Sequence, residues 1–488
     1  MNLPPSPAFF CALFAALFCP LIGSCGGESA PSRPNLLFIS IDTLRADALR
    51  KTVGPEQTPV TPFLDEFAEQ CITFGQAWSH SPKTSPSHMT MFTGLPPRVH
   101  GVGNQQTSGN RILGPNTRTL AETLQRAGYR TGAVTSGGNV AGKLGFERGF
   151  EIYNQQPHAD GLRGKLGEAD EWITSVADED PEQPWFFFFH TYSIHDPYLP
   201  PVEFQEPFVD AAYDGEIIGD KELLQYAIDN EDDRAKKESL HAKIVRNYWA
   251  RVNSKNPQDL RHLSELYTAG VAHMDSELGP FLAGLESSGM LDNTVIILTS
   301  DHGEEFGEHG MLRHQQLWNE NLHVPLLVRL PDAAEGGTLI DAPVRHMDIM
   351  PSLLEILDVS GPEVMLGESW APWLGDPETI DPTRLVFSET RSFARNPLDL
   401  WSVRKEGRLV IKSHRTEQPL YFESYGDSAV GTDAGQPVLE DSAASADLMD
   451  LWRRELGRFQ ALVSQFGAGP GSELDPETRA ELEALGYL

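Results

Sequence analysis

The chain has 488 residues, of which 40% are hydrophobic and 9% aromatic, and its formal net charge at pH 7 is −32. This length exceeds one compact core but fits a large α/β domain with a smaller one, and the composition is ordinary for a globular protein. The strong negative charge argues against nucleic acid or an anionic membrane surface as a partner, because both bind basic patches. An anionic ester group stays compatible, provided that a bound cation supplies the local positive charge.

The first 33 residues predict export of the protein. The run FFCALFAALFCPLIGSCGG has the length of a signal peptide, and it is too short and too interrupted by proline for a membrane span. It ends in LIGSC, which resembles the lipobox of bacterial lipoproteins, with Cys25 as the residue that would carry the lipid. Because the preceding MNLPPSP contains neither Lys nor Arg, a cleaved signal and an uncleaved anchor stay as alternatives. All three export the protein, and lipid at Cys25 would attach it to a membrane of the bacterial cell envelope, on the periplasmic side or at the cell surface.

The cysteines agree with this interpretation. Cys11 and Cys19 would leave with the signal, and Cys25 would carry the lipid, so Cys71 is the one cysteine left in the mature chain. No internal disulfide framework is therefore expected. We expect Cys71 to behave as a small buried apolar residue. The sequence carries no indication of an oligomeric state.

Two apolar runs end in residues of the kind that bind metal ions. The run NLLFISI is followed by Asp42, and VIILTS is followed by Asp301 and His302. Continuous apolar runs are typical of buried strands in a mainly parallel sheet, where ligands bind beyond the carboxyl ends of the strands. Carboxylate and imidazole groups are good ligands for a divalent transition metal. Asp42 alone would also fit a residue that caps a turn, and it is the combination of the two strand ends that indicates a metal site.

The stretch HSPKTSPSHMTMFTG, residues 80–94, lies between these two apolar runs along the chain and is rich in hydroxyl groups. Thr84, Ser85 and Ser87 precede or begin a short helix-like run that stops at Gly94. A hydroxyl at the start of a helix can be an N-cap or a nucleophile, and the stretch by itself fits both. The polar residues that follow the second strand fit either a solvated loop or groups that orient metal ligands. These residues are Glu304, Glu305, Glu308 and His309.

Five motifs, in their order along the chain, resemble those of the sulfatase family within the alkaline phosphatase superfamily. They are ISIDTLRAD, TSPSHMTMFTGLPPRVHGV, LAETLQRAGYRTGAV, DNTVIILTSDHGEEFGEHG and HVPLLVRLP. The resemblance implies an α/β fold with a doubly wound, mainly parallel sheet of the alkaline phosphatase type, followed by a smaller C-terminal α+β subdomain. We expect the signal and tether over 1–33, the catalytic domain over 34–360 and the subdomain over 361–488.

The chain departs from the sulfatase pattern at the residues that carry the chemistry. Where the family has a Cys that is oxidised to formylglycine, this chain has Thr84, and Cys71 is not followed by the motif. His88 stands in place of the motif Arg, and Asp301-His302 in place of the usual Asp-Asn. These departures resemble the single-metal phosphoethanolamine and phosphoglycerol transferases and the Thr-nucleophile phosphodiesterases of the superfamily. The resemblance implies one divalent metal, zinc or manganese by preference and calcium as a further candidate. Its ligands would be Asp42, Thr84, Asp301 and His302.

Further histidines are candidates for the site by the same resemblance. Relatives carry a His before x-Pro-Tyr, which makes His195 a general acid for the leaving oxygen or a donor to the oxyanion. His314 stands where sulfatases have a Lys, so we assign it to binding substrate oxygens, and we place His88 in the site as well. His190 fits equally a site residue and a structural histidine at a strand end. A second metal would need an Asp at the position of Ser193, which supports a single metal.

The residue type at position 84 bears on the substrate. Metal coordination lowers the pKa of a hydroxyl, and attack by Thr84 on a phosphate ester would give a phospho-threonine that water or an acceptor alcohol releases. A formylglycine hydrate expels sulfate through its second hydroxyl, whereas a sulfo-threonine has no such exit. We therefore expect phosphate esters or diesters of a small molecule, glycan or lipid. The alternatives are a sulfatase that works with Thr and a lipid-anchored binding protein without catalysis, and the intact metal and nucleophile residues argue against the last.

The remaining sequence predicts a helical insert and the C-terminal subdomain. Residues 203–265 are polar, with mixed charges and helical periodicity, and we expect them to form a helical flap over the site. Beyond 361, short strands such as RLVIKSH and PLYFES precede a helix over ADLMDLWRRELGRFQALVSQF.

Overall fold

The computed structural model describes residues 33–103, 112–156, 161–231, 240–391, 399–413, 421–424 and 443–467. The predicted export signal, with Cys25, and the last segment, 468–488, lie outside these described residues. Within them, no helix combines the length and the apolar character that crossing a membrane requires.

The strands are short and distributed along the whole described chain. They are β1 (Asn35–Ile41), β2 (Thr52–Val53), β3 (Thr58–Pro59), β4 (Ile72–Trp78), β5 (Arg130–Val134), β6 (Ile152–Asn154), β7 (Trp185–Thr191), β8 (Thr294–Thr299), β9 (His323–Val324), β10 (Leu326–Arg329), β11 (Leu339–Arg345), β12 (Val386–Arg391), β13 (Asp399–Lys405), β14 (Arg408–Ser413) and β15 (Tyr421–Ser424).

The helices range from single turns to a helix of 31 residues. They are α1 (Pro62–Ala68), α2 (Thr84–Thr93), α3 (Pro97–His100), α4 (Leu120–Arg126), α5 (Gly161–Glu179), α6 (Val202–Gln205), α7 (Lys221–Glu231), α8 (Leu240–Ala250), α9 (Pro257–Ser287), α10 (Asn319–Leu322), α11 (His346–Ile356), α12 (Ala371–Gly375) and α13 (Ala443–Phe466).

A large sheet forms the centre of the molecule. Its order is β11-β4-β10-β8-β1-β7-β5-β6, and β9 pairs with β4. The neighbours of β1, which are β7 and β8, run parallel to it, and β5 and β6 continue the parallel arrangement. Only the β10 and β9 pairings are antiparallel among the described strands of this sheet. This arrangement confirms the mainly parallel α/β sheet that the sequence predicted.

Side chains on both faces of the sheet are buried, as the continuous apolar strands require. Along β1, Leu37 and Ile39 belong to one hydrophobic cluster, whereas Leu36 and Phe38 belong to the other. The first cluster is shared with α5 and α9, and the second with α2, α4 and α11. Helices therefore cover both faces, which confirms the doubly wound architecture.

The C-terminal part has a different architecture. Strands β12, β13, β14 and β15 form an antiparallel sheet in that order, and α13 packs against β13 and β14. This confirms the smaller α+β part. Its core is continuous with the first part, because Met347 and Leu95 share a hydrophobic cluster with Phe387 and Trp401. The predicted boundary near residue 360 therefore marks a change of architecture within a shared core.

The insert is helical where the structure describes it. It contains α7 and α8, and α9 begins at Pro257, where the Asn256 side chain accepts a hydrogen bond from the backbone of Gln258. The predicted end at residue 265 is wrong, because α9 runs through it without interruption to Ser287. Apolar residues at helical spacing continue past the polar segment, and the change in composition does not coincide with a helix end.

Aromatic packing beneath the strand ends provides a test of the fold. Phe188 is fully buried on β7, and its ring lies 5.5 Å from that of Phe38 and 4.8 Å from that of Phe92. We expect Phe188→Ala to lower the free energy of unfolding by about 3–5 kcal/mol, since a cavity replaces a large buried side chain. Denaturant unfolding measures this loss. Phe63→Ala is the matched control, because Phe63 is 45% exposed and its loss should be clearly smaller. Equal effects of the two substitutions would contradict this packing.

Candidate active site

The candidate site lies at the carboxyl ends of three adjacent strands. Asp42 follows β1, His190 lies near the end of β7, and Asp301 and His302 follow β8 after Ser300. Because β7 and β8 both pair in parallel with β1, their ends meet at one edge of the sheet. The sequence correctly predicted this placement of Asp42, Asp301 and His302 from the apolar strands that precede them.

Three predicted ligands form a compact cluster. One side-chain ligand atom from each of Asp42, Asp301 and His302 lies within 4.8 Å of the others, and all three residues are fully buried. Within the described part of the chain, neither carboxylate oxygen of Asp42 has a hydrogen-bond partner, and Oδ2 of Asp301 has none either. Buried carboxylates are normally paired or bound to a cation, so these unpaired oxygens fit a divalent metal.

The remaining polar atoms of the cluster are fixed by the backbone. Oδ1 of Asp301 accepts hydrogen bonds from the backbone N–H groups of Thr43 and His302 at 3.3 and 3.0 Å. Nδ1 of His302 donates to the carbonyl of Gly303 at 3.0 Å, because a carbonyl can only accept. This bond leaves Nε2 of His302 on the side of the cluster, 3.3 Å from Oδ2 of Asp301.

Burial dominates the electrostatics of the cluster. It raises the pKa of Asp42 to about 7, and it raises the pKa of Asp301 well above its usual range, where Asp42 adds to the effect. It lowers the pKa of His302, which keeps the imidazole neutral. A bound cation would reverse the effect on the carboxylates, because it stabilises their charged forms.

Thr84 borders the cluster at the start of a buried helix. It is the first residue of α2, and its Oγ1 lies 3.5 Å from Nε2 of His302. Every residue of α2 is buried, and the helix ends at Gly94, whose φ of 64° suits a residue without a side chain. The hydroxyl of Thr84 is thus held beside the predicted metal ligands by a helix that is itself part of the core.

Neither Ser85 nor Ser87 is the N-cap of α2. The N-cap residue is Lys83, and it makes no side-chain capping bond. Ser85 Oγ donates to the carbonyl of Asn139 at 2.6 Å, and Ser87 Oγ donates to the carbonyl of Asp301 at 2.6 Å. Both hydroxyls therefore join α2 to the loops around the site, a role that depends on tertiary packing and not on local sequence.

His88 is close to the site, but its ring nitrogens are already engaged. Nδ1 donates to the carbonyl of Thr84 at 2.9 Å, and Nε2 lies 2.8 Å from the hydroxyl of Ser40. Nδ1 is also 3.6 Å from Oδ2 of Asp301. This geometry favours a residue that fixes Thr84 relative to β1 over one that contacts the substrate, which refines the predicted catalytic role of His88.

His195 and His314 lie next to the cluster, as expected of site residues. The ring centroids of His314 and His302 are 4.3 Å apart, and those of His195 and His314 are 5.2 Å apart. Nδ1 of His195 donates to the carbonyl of Asp196 at 2.8 Å, and Nδ1 of His314 lies 3.2 Å from Oε1 of Glu304. The structure thus brings both predicted histidines together, each oriented through Nδ1.

Other residues of the site were missed or left undecided by the sequence. Nε2 of His190 lies 3.6 Å from Oδ2 of Asp42, and neither ring nitrogen has a hydrogen-bond partner among the residues that the structure describes, which favours a site residue over a structural histidine. Burial lowers the pKa of Lys83 to about 8, and Arg313 adds to this effect. The ammonium group of Lys83 in turn helps to lower the pKa of His302 and His314. The sequence did offer one indication that Lys83 belongs to the site, which is its position directly before Thr84.

The acids after β8 separate into two groups. Glu304 and Glu305 are fully buried, and Oε2 of Glu304 has no hydrogen-bond partner in the described ranges. Glu308 instead pairs with Arg45 at 2.6 Å, and His309 pairs with Glu320 at 3.2 Å. Glu304 is thus a group that orients His314, whereas Glu308 and His309 belong to peripheral ion pairs.

The sequence profile of the Sulfatase family matches residues 34–359. The chain therefore belongs to the sulfatase family, whose members are ester hydrolases. Among its relatives is the N-acetylglucosamine-6-O-sulfatase of Bacteroides thetaiotaomicron, with 23% identity over 418 residues, 72% of this chain and 73% of the relative.

Solved structures share the fold. The phosphonate monoester hydrolase of Agrobacterium radiobacter superposes with a TM-score of 0.65 and 20% identity, over 88% of this chain and 96% of that one. The lipoteichoic acid synthase LtaP of Listeria monocytogenes gives a TM-score of 0.58 and 16% identity, over 90% and 94% of the two chains. At these identities the likeness establishes the fold alone, which both structures share with this chain.

The unpaired carboxylates make metal binding testable without an activity assay. We expect the purified protein to retain about one divalent ion per chain after dialysis, measured by inductively coupled plasma mass spectrometry, and to melt at a higher temperature when loaded. Asp42→Asn should lose the ion. It should not destabilise the metal-free protein, because it removes a buried unpaired charge.

Glu308→Gln is the matched control, since Glu308 is an acid of the same region that pairs with Arg45 outside the cluster. This variant should bind the ion as the unmodified protein does. Unchanged metal content in Asp42→Asn would exclude the cluster as the binding site.

Proposed function

We propose that this sulfatase-family protein is a metal-dependent hydrolase or transferase of phosphate esters or diesters, with Thr84 as its nucleophile. The observation that carries the proposal is the position of the Thr84 hydroxyl. It lies at the N-terminus of α2, 3.5 Å from Nε2 of His302 and beside the unpaired carboxylates of Asp42 and Asp301. The family resemblance assigns this same position to the residue that becomes formylglycine.

A divalent ion held by Asp42, Asp301 and His302, with Thr84 as a further ligand, would lower the pKa of the Thr84 hydroxyl and polarise the ester. Zinc or manganese suits the mixed carboxylate and imidazole set best, with calcium as a further candidate. The N-terminus of α2 adds backbone N–H groups and the positive end of a ten-residue helix. Together these groups make the surroundings of Thr84 favourable for an anionic ester.

The reaction divides into two displacements at phosphorus. The neutral imidazole of His195 or His314 takes the proton of the Thr84 hydroxyl as Oγ1 bonds to phosphorus, and it gives that proton to the leaving oxygen as the bond from phosphorus to that oxygen breaks. Water or an acceptor alcohol then attacks phosphorus and gives its proton to the same imidazole, which passes it to Oγ1 as the bond between Oγ1 and phosphorus breaks. The proximity of the two rings to His302 supports this assignment.

Lys83 supplies a fixed cation beside the nucleophile in this proposal. His314 occupies the position at which the resemblance expects a Lys, and a neutral imidazole cannot provide the same charge. Lys83 lies near enough to His302 and His314 to affect their pKa values, and it comes from the residue next to Thr84. We therefore infer that Lys83 binds a non-bridging oxygen of the ester.

A sulfatase that works with Thr84 is the second candidate function, and the relationship to the N-acetylglucosamine-6-O-sulfatase favours it. The likeness in fold to a phosphonate monoester hydrolase and to LtaP is compatible with phosphorus chemistry on this scaffold. The absence of a cysteine at position 84 decides our preference, since a threonine cannot expel sulfate as a formylglycine hydrate does. The substrate would be an ester of a small molecule, glycan or lipid.

We also propose that the protein is exported and held at the cell envelope by lipid on Cys25. The apolar N-terminal run and the LIGSC sequence support this proposal. A tethered enzyme would meet its ester substrate outside the cytoplasm.

The nucleophile assignment predicts a specific pattern across substrates. With zinc or manganese present, we expect turnover of aryl phosphates or phosphodiesters in preference to aryl sulfates. Thr84→Ala should lower kcat by about a thousandfold or more, because the covalent step is lost. Ser85→Ala is the matched control, since it removes the neighbouring hydroxyl that donates to Asn139.

Steady-state kinetics on the substrate panel measures these effects, and mass spectrometry after acid quenching detects the phospho-threonine. Retained turnover in Thr84→Ala would exclude Thr84 as the nucleophile. Turnover of sulfates alone would favour the sulfatase.

The assignment of Lys83 to substrate binding predicts the effect of removing its charge. We expect Lys83→Met to lower kcat/KM by about tenfold or more, because a fixed cation near the developing charge is lost. Lys83→Arg should retain a larger part of the activity. Lys255→Met, which changes an exposed lysine before α9, is the control and should leave kcat/KM unchanged. Equal kcat/KM values for both methionine variants would contradict the role of Lys83.

A further inference from the structure

Asp196 connects three segments that surround the candidate site. Oδ1 of Asp196 accepts a hydrogen bond from Nε of Arg313 at 3.1 Å, and Oδ2 accepts from its terminal nitrogen at 2.6 Å. Oδ2 also accepts from the indole N–H of Trp249 at 2.7 Å. The Asp196 side chain is only 1% exposed, so this carboxylate is buried and fully used by its partners.

Each partner comes from a different part of the chain. Asp196 lies in the loop after β7, next to His195, and Arg313 lies in the loop after β8, next to His314. Trp249 belongs to α8 of the helical insert, and the Arg313 guanidinium lies 5.1 Å from the centre of the indole ring. We call these three residues, Trp249, Asp196 and Arg313, the insert clamp.

The insert clamp lies next to His195 and His314, the two candidate histidines for proton transfer. Nδ1 of His195 lies 2.8 Å from the carbonyl and 3.3 Å from Oδ1 of Asp196, so this residue orients the ring twice. Arg313 has a φ of 70°, which a residue with a side chain adopts only when its surroundings hold it there. The bidentate ion pair with Asp196 stabilises Arg313 in this conformation, and the next residue along the chain is His314.

We propose that Trp249 and Arg313 are positioning residues, which act through Asp196 to set the distance between His195 and His314. This inference rests on the proposed function, in which one of these histidines protonates the leaving oxygen. The helical insert is then part of the catalytic machinery, because its Trp249 completes the hydrogen bonding of Asp196. A shift of the two rings by a fraction of an ångström would weaken protonation of the leaving group.

The insert offers a matched pair of substitutions at adjacent positions. Trp249→Phe keeps an aromatic ring beside Arg313 but removes the N–H that donates to Asp196. Tyr248→Phe removes a buried hydroxyl that has no hydrogen-bond partner in the described part of the structure. Both variants preserve the aromatic packing of α8 on Tyr198, where the ring centroids lie 6.3 Å apart. Arg313→Lys is the second test, because a lysine cannot form the bidentate pair.

Steady-state kinetics with a series of aryl esters of different leaving-group pKa tests the proposal. We expect Trp249→Phe and Arg313→Lys to lower kcat by about tenfold for poor leaving groups and little for good ones, with KM nearly unchanged. The loss in the double variant should be smaller than the product of the single losses, since both act through Asp196. Tyr248→Phe should match the unmodified protein.

Unchanged kcat in both Trp249→Phe and Arg313→Lys would overturn the proposal. An equal loss of kcat for good and poor leaving groups would overturn it as well, because that result indicates a general structural effect. The series uses whichever ester class the unmodified protein hydrolyses, phosphate or sulfate. A protein that hydrolyses sulfates alone would refute the proposed function and still allow this test.

Discussion

Two buried carboxylates, with three oxygens that have no hydrogen-bond partner among the described residues, are the constraint on which the site depends. Asp42 and Asp301 lie at the ends of adjacent strands because β1 and β8 pair in parallel, with Ser40 opposite Thr299. Their unpaired oxygens would cost several kcal/mol each in a dry interior if they stayed charged and uncompensated. Burial therefore favours their protonated forms in the absence of a cation and makes cation binding strongly favourable. A large sheet with both faces covered provides the dry environment that makes this contrast possible.

Burial also determines the protonation of the histidines around the carboxylates. Burial lowers the pKa of His88, His190, His302 and His314, so these rings are neutral, which is the form in which an imidazole binds a metal. Several of them donate Nδ1–H to a backbone carbonyl, as His302 does to Gly303 and His88 to Thr84. The tautomer is thereby fixed by the backbone. The folded chain sets the orientation of these two rings before any ligand binds.

The sequence predicted those parts of the site that follow from one strand or one motif. Asp42, Asp301 and His302 were found because each follows a continuous apolar run, and parallel strands gather their ends at one edge. Thr84 was found because its motif resembles that of a family. The functions of Ser85 and Ser87 could not be found, because their partners, the carbonyls of Asn139 and Asp301, are 54 and 214 residues away. Local sequence does not indicate where such a hydroxyl points.

The insert clamp could not be predicted from the sequence either, because its residues are far apart along the chain. Trp249 lies 53 residues from Asp196, and Arg313 lies 117 residues from it. A polar insert with mixed charges predicts helices and solvated faces, and nothing in its periodicity distinguishes a tryptophan that reaches the site from one that packs on a neighbouring helix. These residues come together only in the folded chain, where the loop after β7, the loop after β8 and α8 meet.

The net charge of the chain repels an anionic ester, whereas the positive groups within the site would attract it. A net charge of −32 repels an anionic ester at long range, most strongly at low ionic strength. At contact distance the substrate would meet Lys83 and the N-terminus of α2, whereas the charge of Arg313 is largely offset by its pair with Asp196. Selectivity for an anion must therefore come from short-range contacts at Thr84 and not from attraction by the protein surface. The proposed site would then discriminate between esters by the geometry of their oxygens around Thr84.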